Sequence, residues 1–153
     1  RRCVAHIERW AAQREELMNG AAVQHKRSSE YASHIMEAIT TGNPIKIGGN
    51  VINHGCISNL PPEACVEVPC IVDKNGVTPT YVGDLPLQLA AMNSSNIYPQ
   101  LLTIEAARTG KMEYVYQAAM MDPHTGAQLS PDEIVAMCND LREAHERAGY
   151  PVF

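Results

Sequence analysis

The 153-residue sequence has few aromatic residues and no long apolar run. Only 5% of its residues are aromatic, although 45% are hydrophobic. Because no stretch of about 18 consecutive apolar residues occurs, we expect no transmembrane helix and no membrane partner. The remaining composition is that of a globular domain with one core and differs from that of a disordered segment.

Clustered charge and metal-binding cysteine pairs are also missing. The formal net charge is -5, and the charges are scattered apart from a short basic run at residues 25–27. A nucleic-acid interface needs a clustered basic face, so we expect no nucleic-acid partner. The five cysteines include no Cys-X-X-Cys pair, and together with His54 they match no structural zinc spacing. We therefore expect no metal site, and reduced thiols in a cytoplasmic protein.

The beginning of the chain lacks both a methionine and a signal peptide. Arg1 and Arg2 lead directly into a helical pattern of apolar residues, which indicates a piece of a longer polypeptide. No Gly-X-Gly-X-X-Gly fingerprint follows a strand-like segment, so we expect no dinucleotide site in this chain.

The first part of the chain is predicted to be helical. Apolar residues at helical spacing predict a helix over residues 1–19 that ends near Asn19-Gly20. A second helix is predicted from about Ser29 to Thr40, with Ser28 or Ser29 as its N-cap.

The apolar period then changes to two residues, which predicts strands. Residues 45–51 and 66–72 form the first two, and Asn75-Gly76 is a strong hairpin signal leading to a third strand over 77–82. Pro69 and Pro79 lie inside these runs, and each indicates an edge position or a bulge.

Helical patterns return after residue 86. Helices are predicted over 87–109, with a break near Tyr98-Pro99, and over 111–121, followed by a loop at 122–126. Ser130-Pro131-Asp132-Glu133 is a capping box that opens a last helix, with Ile134, Met137, Cys138 and Leu141 on its buried face. The predicted fold class is α+β: a small antiparallel sheet packed with several helices.

Two groups of residues could contact a ligand. Arg27, Ser28, Ser29 and Tyr31 lie where a loop enters a helix, a place that can hold anions or sugar oxygens, although plain N-capping is the usual role of such serines. The amide residues Asn50, Asn53 and Asn59, with His54, could read sugar hydroxyls. Turn chemistry, in which Asn tolerates left-handed backbone, explains the same residues equally well.

Seven stretches together carry a resemblance to a known family. They are Arg27-Ser28-Ser29-Glu30-Tyr31-Ala32, Gly49-Asn50-Val51, Ile57-Ser58-Asn59-Leu60-Pro61, Ala64-Cys65-Val66-Glu67-Val68, Val72-Asp73-Lys74-Asn75-Gly76, Val82-Gly83-Asp84-Leu85-Pro86 and Ala118-Ala119-Met120-Met121-Asp122-Pro123. Through these seven stretches together, the chain resembles the C-terminal domain of the family 4 glycoside hydrolases, and their α-galactosidase branch in particular. The run 67–72 followed by Asn75-Gly76-Val77 also resembles the C-terminal substrate domain of lactate and malate dehydrogenases.

The resemblance implies an enzyme that hydrolyses α-galactosides by oxidation, elimination and addition, in place of the usual two-carboxylate mechanism. NAD and Mn²⁺ are its implied cofactors, bound mainly by an N-terminal Rossmann domain that this chain lacks. Residues 1–153 are then the C-terminal substrate-side domain. It supplies a pocket wall and subunit contacts of a homo-oligomer, and none of the catalytic groups or metal ligands. In the resembled fold, the loop-to-helix entry at Ser28 and Ser29 faces the substrate. Together with the amide residues, the candidates near substrate or cofactor are Arg27, Ser28, Ser29, Tyr31, Asn50 and Asn53.

Other functions remain open at the level of sequence. Arg27 beside a helix entry is compatible with a phosphate group, so a family 4 glycosidase with another sugar specificity is one alternative. A non-catalytic oligomerisation or sugar-binding module of the same fold is another, because the amphipathic helices could pair between subunits. A hydroxy-acid dehydrogenase domain ranks last, because no loop offers an arginine for a carboxylate beside a catalytic histidine.

Overall fold

The computed structural model describes residues 1–22 and 30–151, which divide into two compact units, Arg1–Ser33 and His34–Phe153. The first unit contains helix α1, Arg2–Met18, as predicted. The helix ends where the sequence indicates, because Asn19 is its C-cap and Gly20 has a φ of 83°. Left-handed backbone of this kind is most favourable for glycine and stops a helix.

The second unit is built on a three-stranded antiparallel sheet with the order β1-β2-β3. Its strands are β1, Ile45–Ile52, β2, Cys65–Asp73, and β3, Gly76–Pro79. The predicted hairpin is confirmed: Asp73 Oδ1 accepts from the Asn75 N–H at 2.7 Å, and Gly76 has a φ of 99°. Strand β3 ends at Pro79, three residues before its predicted end. The chain after it turns away and pairs with the loop between β1 and β2, where the Val82 N–H donates to the Cys56 carbonyl.

Pro69 has a partner strand on the β1 side only, because β3 pairs with residues 70–73 of β2, so the predicted edge position is confirmed there. Pro69 lies in β2, the middle strand of the described sheet, and the β1–β2 register runs past it without interruption, with Gly48 as its partner. Its carbonyl accepts from the Thr80 N–H at 2.9 Å, so its backbone groups point towards the β3 side. The missing N–H therefore falls just beyond the end of β3, where it interrupts no ladder hydrogen bond. Pro79 lies in the outer strand β3, which is also an edge position, as predicted.

The helices before and after the sheet in the sequence, α2 and α3, largely match the sequence pattern. Helix α2, Ala32–Thr41, begins later than the predicted Ser29. Helix α3, Leu87–Thr109, is continuous, so the predicted break near Tyr98-Pro99 is wrong. The Pro99 ring removes one helical hydrogen bond, yet Ile97 and Ala106 on either side of it are buried, and their packing keeps the helix whole.

Three shorter or terminal helices complete the chain: α4, Met112–Met121, α5, Pro123–Gln128, and α6, Pro131–Arg147. The predicted loop at 122–126 is wrong, because Asp122 caps α5 and Pro123 occupies its first position. The predicted capping box at Ser130 is confirmed. Tyr116 donates to Asn139 at 2.7 Å and ties α4 to α6.

The main core lies between β2 and α3. One face of β2 and one stripe of α3 meet there, together with the loop before β2; the buried members are Ile57, Leu60, Ala64, Val66, Val68, Cys70, Ala90 and Ile97. This arrangement confirms the predicted α+β class. Of the helices in the described ranges, none combines the length and hydropathy that crossing a membrane requires.

Candidate functional site

Two loops meet at one end of the sheet and are joined by backbone and side-chain hydrogen bonds. Residues 53–64 connect β1 to β2, and residues 80–86 connect β3 to α3. The Val82 and Gly83 N–H groups both donate to the Cys56 carbonyl, at 2.8 and 3.2 Å, and the Ser58 N–H donates to the Gly83 carbonyl at 3.1 Å. We call these segments the paired loops, because backbone hydrogen bonds fix one to the other.

Asn53 organises the first of the paired loops from inside. Its side chain has no exposed surface. Its amide nitrogen lies 2.9, 3.0 and 3.1 Å from the carbonyl oxygens of Ile57, Leu60 and Pro61, and its Oδ1 accepts from the Ile57 N–H at 2.7 Å. Turn chemistry is therefore the role that the structure shows for the Asn53 side chain, since both ends of its amide are used within the loop.

Side chains also connect the two loops. Asn59 bridges to the backbone of Leu85: its amide nitrogen donates to the Leu85 carbonyl at 2.8 Å, and its Oδ1 accepts from the Leu85 N–H at 3.0 Å. The hydroxyl groups of Ser58 and Tyr81 lie 2.9 Å apart and are exposed. Sequence reasoning missed both contacts, because their partners are 26 and 23 residues apart and neither pair has a local signature.

Asn50 occupies a different surface from Asn53. It lies on β1, exposed, and pairs across the sheet with Glu67. A β-carbon on neighbouring Gly48 would stand 2.9 Å from the Glu67 carboxylate, so the glycine leaves room for that carboxylate above the strand. The structure thus does not present the amides of Asn50 and Asn53 to one ligand.

The remaining predicted site residues are Arg27, Ser28, Ser29, Tyr31 and His54. Tyr31 is 44% exposed and lies just before α2. Arg27, Ser28 and Ser29 lie outside the described residues. His54, which belongs to the predicted amide group, is exposed and has a φ of 42°, the left-handed backbone that few non-glycine residues adopt.

Shifted pKa values occur on the helices and have structural causes. The Thr125 N–H, then the Thr125 hydroxyl, lower the pKa of Asp122 at the start of α5. The Ser130 N–H and hydroxyl likewise lower the pKa of Glu133 in the capping box. Burial raises the pKa of the Cys138 thiol. Hydrogen bonds that cap helices account for the two carboxylates, so their shifts do not point to a catalytic acid or base.

Within residues 1–22 and 30–151, no group of three or more His, Cys, Asp or Glu side chains is arranged to hold a metal ion. Cys65 is exposed and Cys70 is buried, as expected for strand residues five positions apart. Without such a cluster, the paired loops and the outer sheet surface around Asn50 could contact a ligand through hydrogen-bonding groups and through their shape.

Comparisons with known proteins agree on one family. Residues 1–125 match the family 4 glycosyl hydrolase C-terminal domain. The chain is 54% identical, over 145 residues, to an alpha-galactosidase of Bacillus subtilis (strain 168), which covers 95% of the chain and 34% of that protein.

Solved structures show the same fold. A putative glucosidase from Bacillus subtilis superimposes with a TM-score of 0.78 at 24% identity, covering 91% of the chain and 32% of that structure. A 6-phospho-alpha-glucosidase from gut microorganisms, in complex with NAD and Mn²⁺, superimposes with a TM-score of 0.73 at 17% identity, covering 87% and 31%. The chain thus spans about a third of the length of the proteins it matches.

Proposed function

Because the chain belongs to family 4 of the glycosyl hydrolases, as their C-terminal domain, we propose that it is the substrate-side part of an α-galactosidase. The observation that carries this proposal is the 54% identity to the Bacillus subtilis alpha-galactosidase over 95% of the chain. The substrate is then an α-galactoside, and the reaction is hydrolysis by oxidation, elimination and addition in the cytoplasm.

NAD and Mn²⁺ are the proposed cofactors, supported by the gut-microbial 6-phospho-alpha-glucosidase that carries both. The described residues do not fit as their main binding site. They contain no cluster of metal-ligand side chains, and the sequence has no Gly-X-Gly-X-X-Gly fingerprint. We therefore assign both cofactors mainly to the rest of the polypeptide, and we assign no catalytic group to this chain.

The proposed contribution of this chain is one wall of the sugar pocket. Arg27, Ser28, Ser29 and Tyr31 are proposed as residues near substrate or cofactor, and so, separately, is Asn50 on the outer surface of the sheet. Asn53 supports that wall indirectly, by fixing the loop that follows β1.

A second specificity is favoured by one observation. The structural neighbour that carries NAD and Mn²⁺ acts on a 6-phosphosugar, and an arginine near a helix entry suits a phosphate. A 6-phosphoglycoside is therefore the second candidate substrate. A non-catalytic sugar-binding or oligomerisation module of the same fold is the third.

The test uses the full polypeptide that contains this segment. Release of nitrophenol from an aryl α-galactoside is measured with and without NAD⁺ and Mn²⁺, beside the 6-phosphorylated aryl glucoside. Release from the galactoside that needs both cofactors supports the proposal. Release from the phosphorylated substrate alone moves the function to the second candidate, and no release from either substrate favours the module.

A matched pair of variants then tests the pocket wall. Asn50→Ala changes an exposed residue of β1, and Lys46→Ala changes another residue of the same exposed surface, four positions away. A loss of kcat/KM on the galactoside with Asn50→Ala, and not with Lys46→Ala, would support contact between Asn50 and the sugar. Equal activity of both variants would remove Asn50 from the site.

A further inference from the structure

Helix α1 carries an apolar surface that is exposed. Within the described residues, none of its side chains is buried. Ile7 is 66% exposed, Trp10 is 63% exposed and Met18 is 78% exposed. Large apolar side chains grouped on one surface of a helix are typical of an interface with another chain or domain.

The spacing of these residues is that of two paired helices. Positions 3, 7, 10, 14 and 17 alternate in steps of four and three, and they carry Cys3, Ile7, Trp10, Arg14 and Leu17. Val4, Ala11 and Met18 lie immediately beside that row, at a seven-residue interval. A row of this kind, with a second row beside it, forms the contact surface between packed helices. We call it the α1 stripe.

Arg14 is the one charged residue among these eight positions of the stripe, and it restricts how the helix can pair. If two copies of α1 packed in parallel, Arg14 of each chain would lie against Arg14 of the other. Two like charges in a contact surface are unfavourable, so parallel pairing is disfavoured.

We propose that α1 packs antiparallel against α1 of a second copy of this polypeptide. When the helices cross near Ala11, Arg14 lies over the partner's Trp10, where a guanidinium is attracted to the indole ring. In the same register Ile7 meets the partner's Leu17, and Val4 meets the partner's Met18. Each of the last two pairs joins two apolar residues. The small Ala11 permits a close approach of the helices at the crossing.

Charge along the helix supports the same direction. Residues 1–9 contain three arginines and one glutamate, whereas residues 10–18 contain one arginine and two glutamates. Antiparallel pairing places the positive half of each helix beside the negative half of the other. It also opposes the two helix dipoles, which parallel pairing would align.

Disulfide trapping in the full polypeptide tests this register. The variant Cys3→Ser/Ile7→Cys/Leu17→Cys is oxidised with diamide, digested with trypsin, and its cross-linked peptides are identified by mass spectrometry. Trypsin cuts after Arg9 and Arg14, so positions 7 and 17 fall in different peptides. A bridge within one helix is impossible, because positions 7 and 17 are about 15 Å apart along it and a disulfide spans at most about 7 Å between Cα atoms.

The matched control is Cys3→Ser/Ala5→Cys/Glu16→Cys, which places both thiols on the opposite side of the same helix. We expect a bridge between position 7 of one chain and position 17 of the other in the test variant, and no bridge in the control. Bridges from 7 to 7 and from 17 to 17 would overturn the antiparallel direction. Absence of any bridge between chains through these positions would overturn the pairing of α1 itself.

A second measurement requires no new cysteine. Arg14→Ala in the full polypeptide is expected to raise the dimer dissociation constant roughly 3- to 30-fold, as the loss of an Arg–Trp contact predicts. Arg9→Ala, on the far side of the helix, removes one charge from the positive half and no contact within the α1 stripe, so it should raise the dissociation constant by less than Arg14→Ala does. Equal dissociation constants for the two variants in sedimentation equilibrium would contradict the proposed contact. Neither readout depends on glycosidase activity, so this inference and the proposed function can fail separately.

Discussion

The Sγ atom of Cys70 lies 2.7 Å from the position that a β-carbon on Gly49 would occupy. Cys70 is fully buried in β2. Gly49 of β1 pairs with Val68, which lies two positions before Cys70 on the same side of β2. Glycine at position 49 therefore lets β1 lie directly on the thiol. The sheet depends on this absence of a side chain, which no pattern of hydrophobic residues reveals.

Gly49→Ala should destabilise the chain by about 1–3 kcal/mol, because the added methyl group overpacks the core against the Cys70 thiol. Urea unfolding followed by circular dichroism measures the change. Gly48→Ala is the matched control: its β-carbon would meet the flexible, exposed Glu67 carboxylate, which can move aside. Equal losses of stability in the two variants would show that the Cys70 thiol is not the cause. Gly49→Ala/Cys70→Ala should recover part of the loss, since it removes the clashing atom.

Asn53→Ala should cost about 2–4 kcal/mol of unfolding free energy. The substitution removes the partner of several buried backbone groups at once, and each unsatisfied group costs about 1–3 kcal/mol. Asn50→Ala, at an exposed strand position, should cost less than about 0.5 kcal/mol. The comparison uses urea unfolding at neutral pH. Similar losses for the two variants would show that the 53–64 loop is held by contacts other than this amide.

The elements that follow local rules could be predicted from sequence, and those that depend on distant contacts could not. The hairpin at Asn75-Gly76 and the capping box at Ser130 are encoded within a few residues, and both are confirmed. The contact of Asn59 with Leu85 joins residues 26 positions apart, and it becomes visible only once the loops are placed.

The wrong prediction of a helix break at Pro99 comes from treating proline as a breaker. Pro99 lies within a helix whose packing outweighs one lost hydrogen bond, whereas Pro69 lies at a position of β2 that β3 does not reach, the edge position expected for a strand proline. Asp122-Pro123 is a recognisable helix start, so the α5 helix is encoded locally although a loop is predicted there. Among the predicted site residues, the turn role of Asn53 is one of the two alternatives that the sequence offers, the other being contact with sugar hydroxyls.

Asp122 should make stability depend on pH in the acid range. The Thr125 N–H and hydroxyl stabilise its charged form, so its pKa in the folded chain is lower than in the unfolded chain. A lowered carboxyl pKa contributes stability that is present at neutral pH. That stability is lost as the pH falls below the ordinary Asp value of about 3.9 and through the lowered pKa.

The measurement compares the chain with Asp122→Ala and Asp122→Asn between pH 7 and pH 2.5. We expect Asp122→Ala to be less stable at pH 7 and the difference to shrink as the pH falls. Asp122→Asn keeps a capping oxygen without a titrating group, so its own stability should vary less with pH in this range. A constant difference between Asp122→Ala and the unmodified chain down to pH 2.5 would contradict the assignment.

Pro99→Ala should stabilise the chain by about 1–2 kcal/mol. Alanine restores the hydrogen bond to the Ser95 carbonyl, and its helix propensity exceeds that of proline by about 3 kcal/mol, less the entropy that proline removes from the unfolded chain. Pro131→Ala is the control, because proline at the first position of α6 forfeits no helical hydrogen bond. Thermal unfolding should show a higher Tm for the first variant and not for the second. A lower Tm for Pro99→Ala would mean that the packing of the ring outweighs the restored bond.

Asn59→Ala should release the second of the paired loops from the first. The Leu85 N–H donates to Asn59 Oδ1 at 3.0 Å, so the substitution removes the acceptor that protects this amide from exchange with solvent. A hydrogen bond worth about 0.5–1.5 kcal/mol corresponds to an approximately 2- to 13-fold faster exchange at Leu85, measured by hydrogen–deuterium exchange with NMR detection.

Ser58→Ala is the matched control: it removes the adjacent hydroxyl contact with Tyr81 and leaves the Leu85 acceptor in place. Faster exchange at Leu85 in Asn59→Ala alone assigns the connection to the amide. Equal exchange in both variants would show that the backbone bonds at Cys56 and Gly83 are sufficient to hold the loops together.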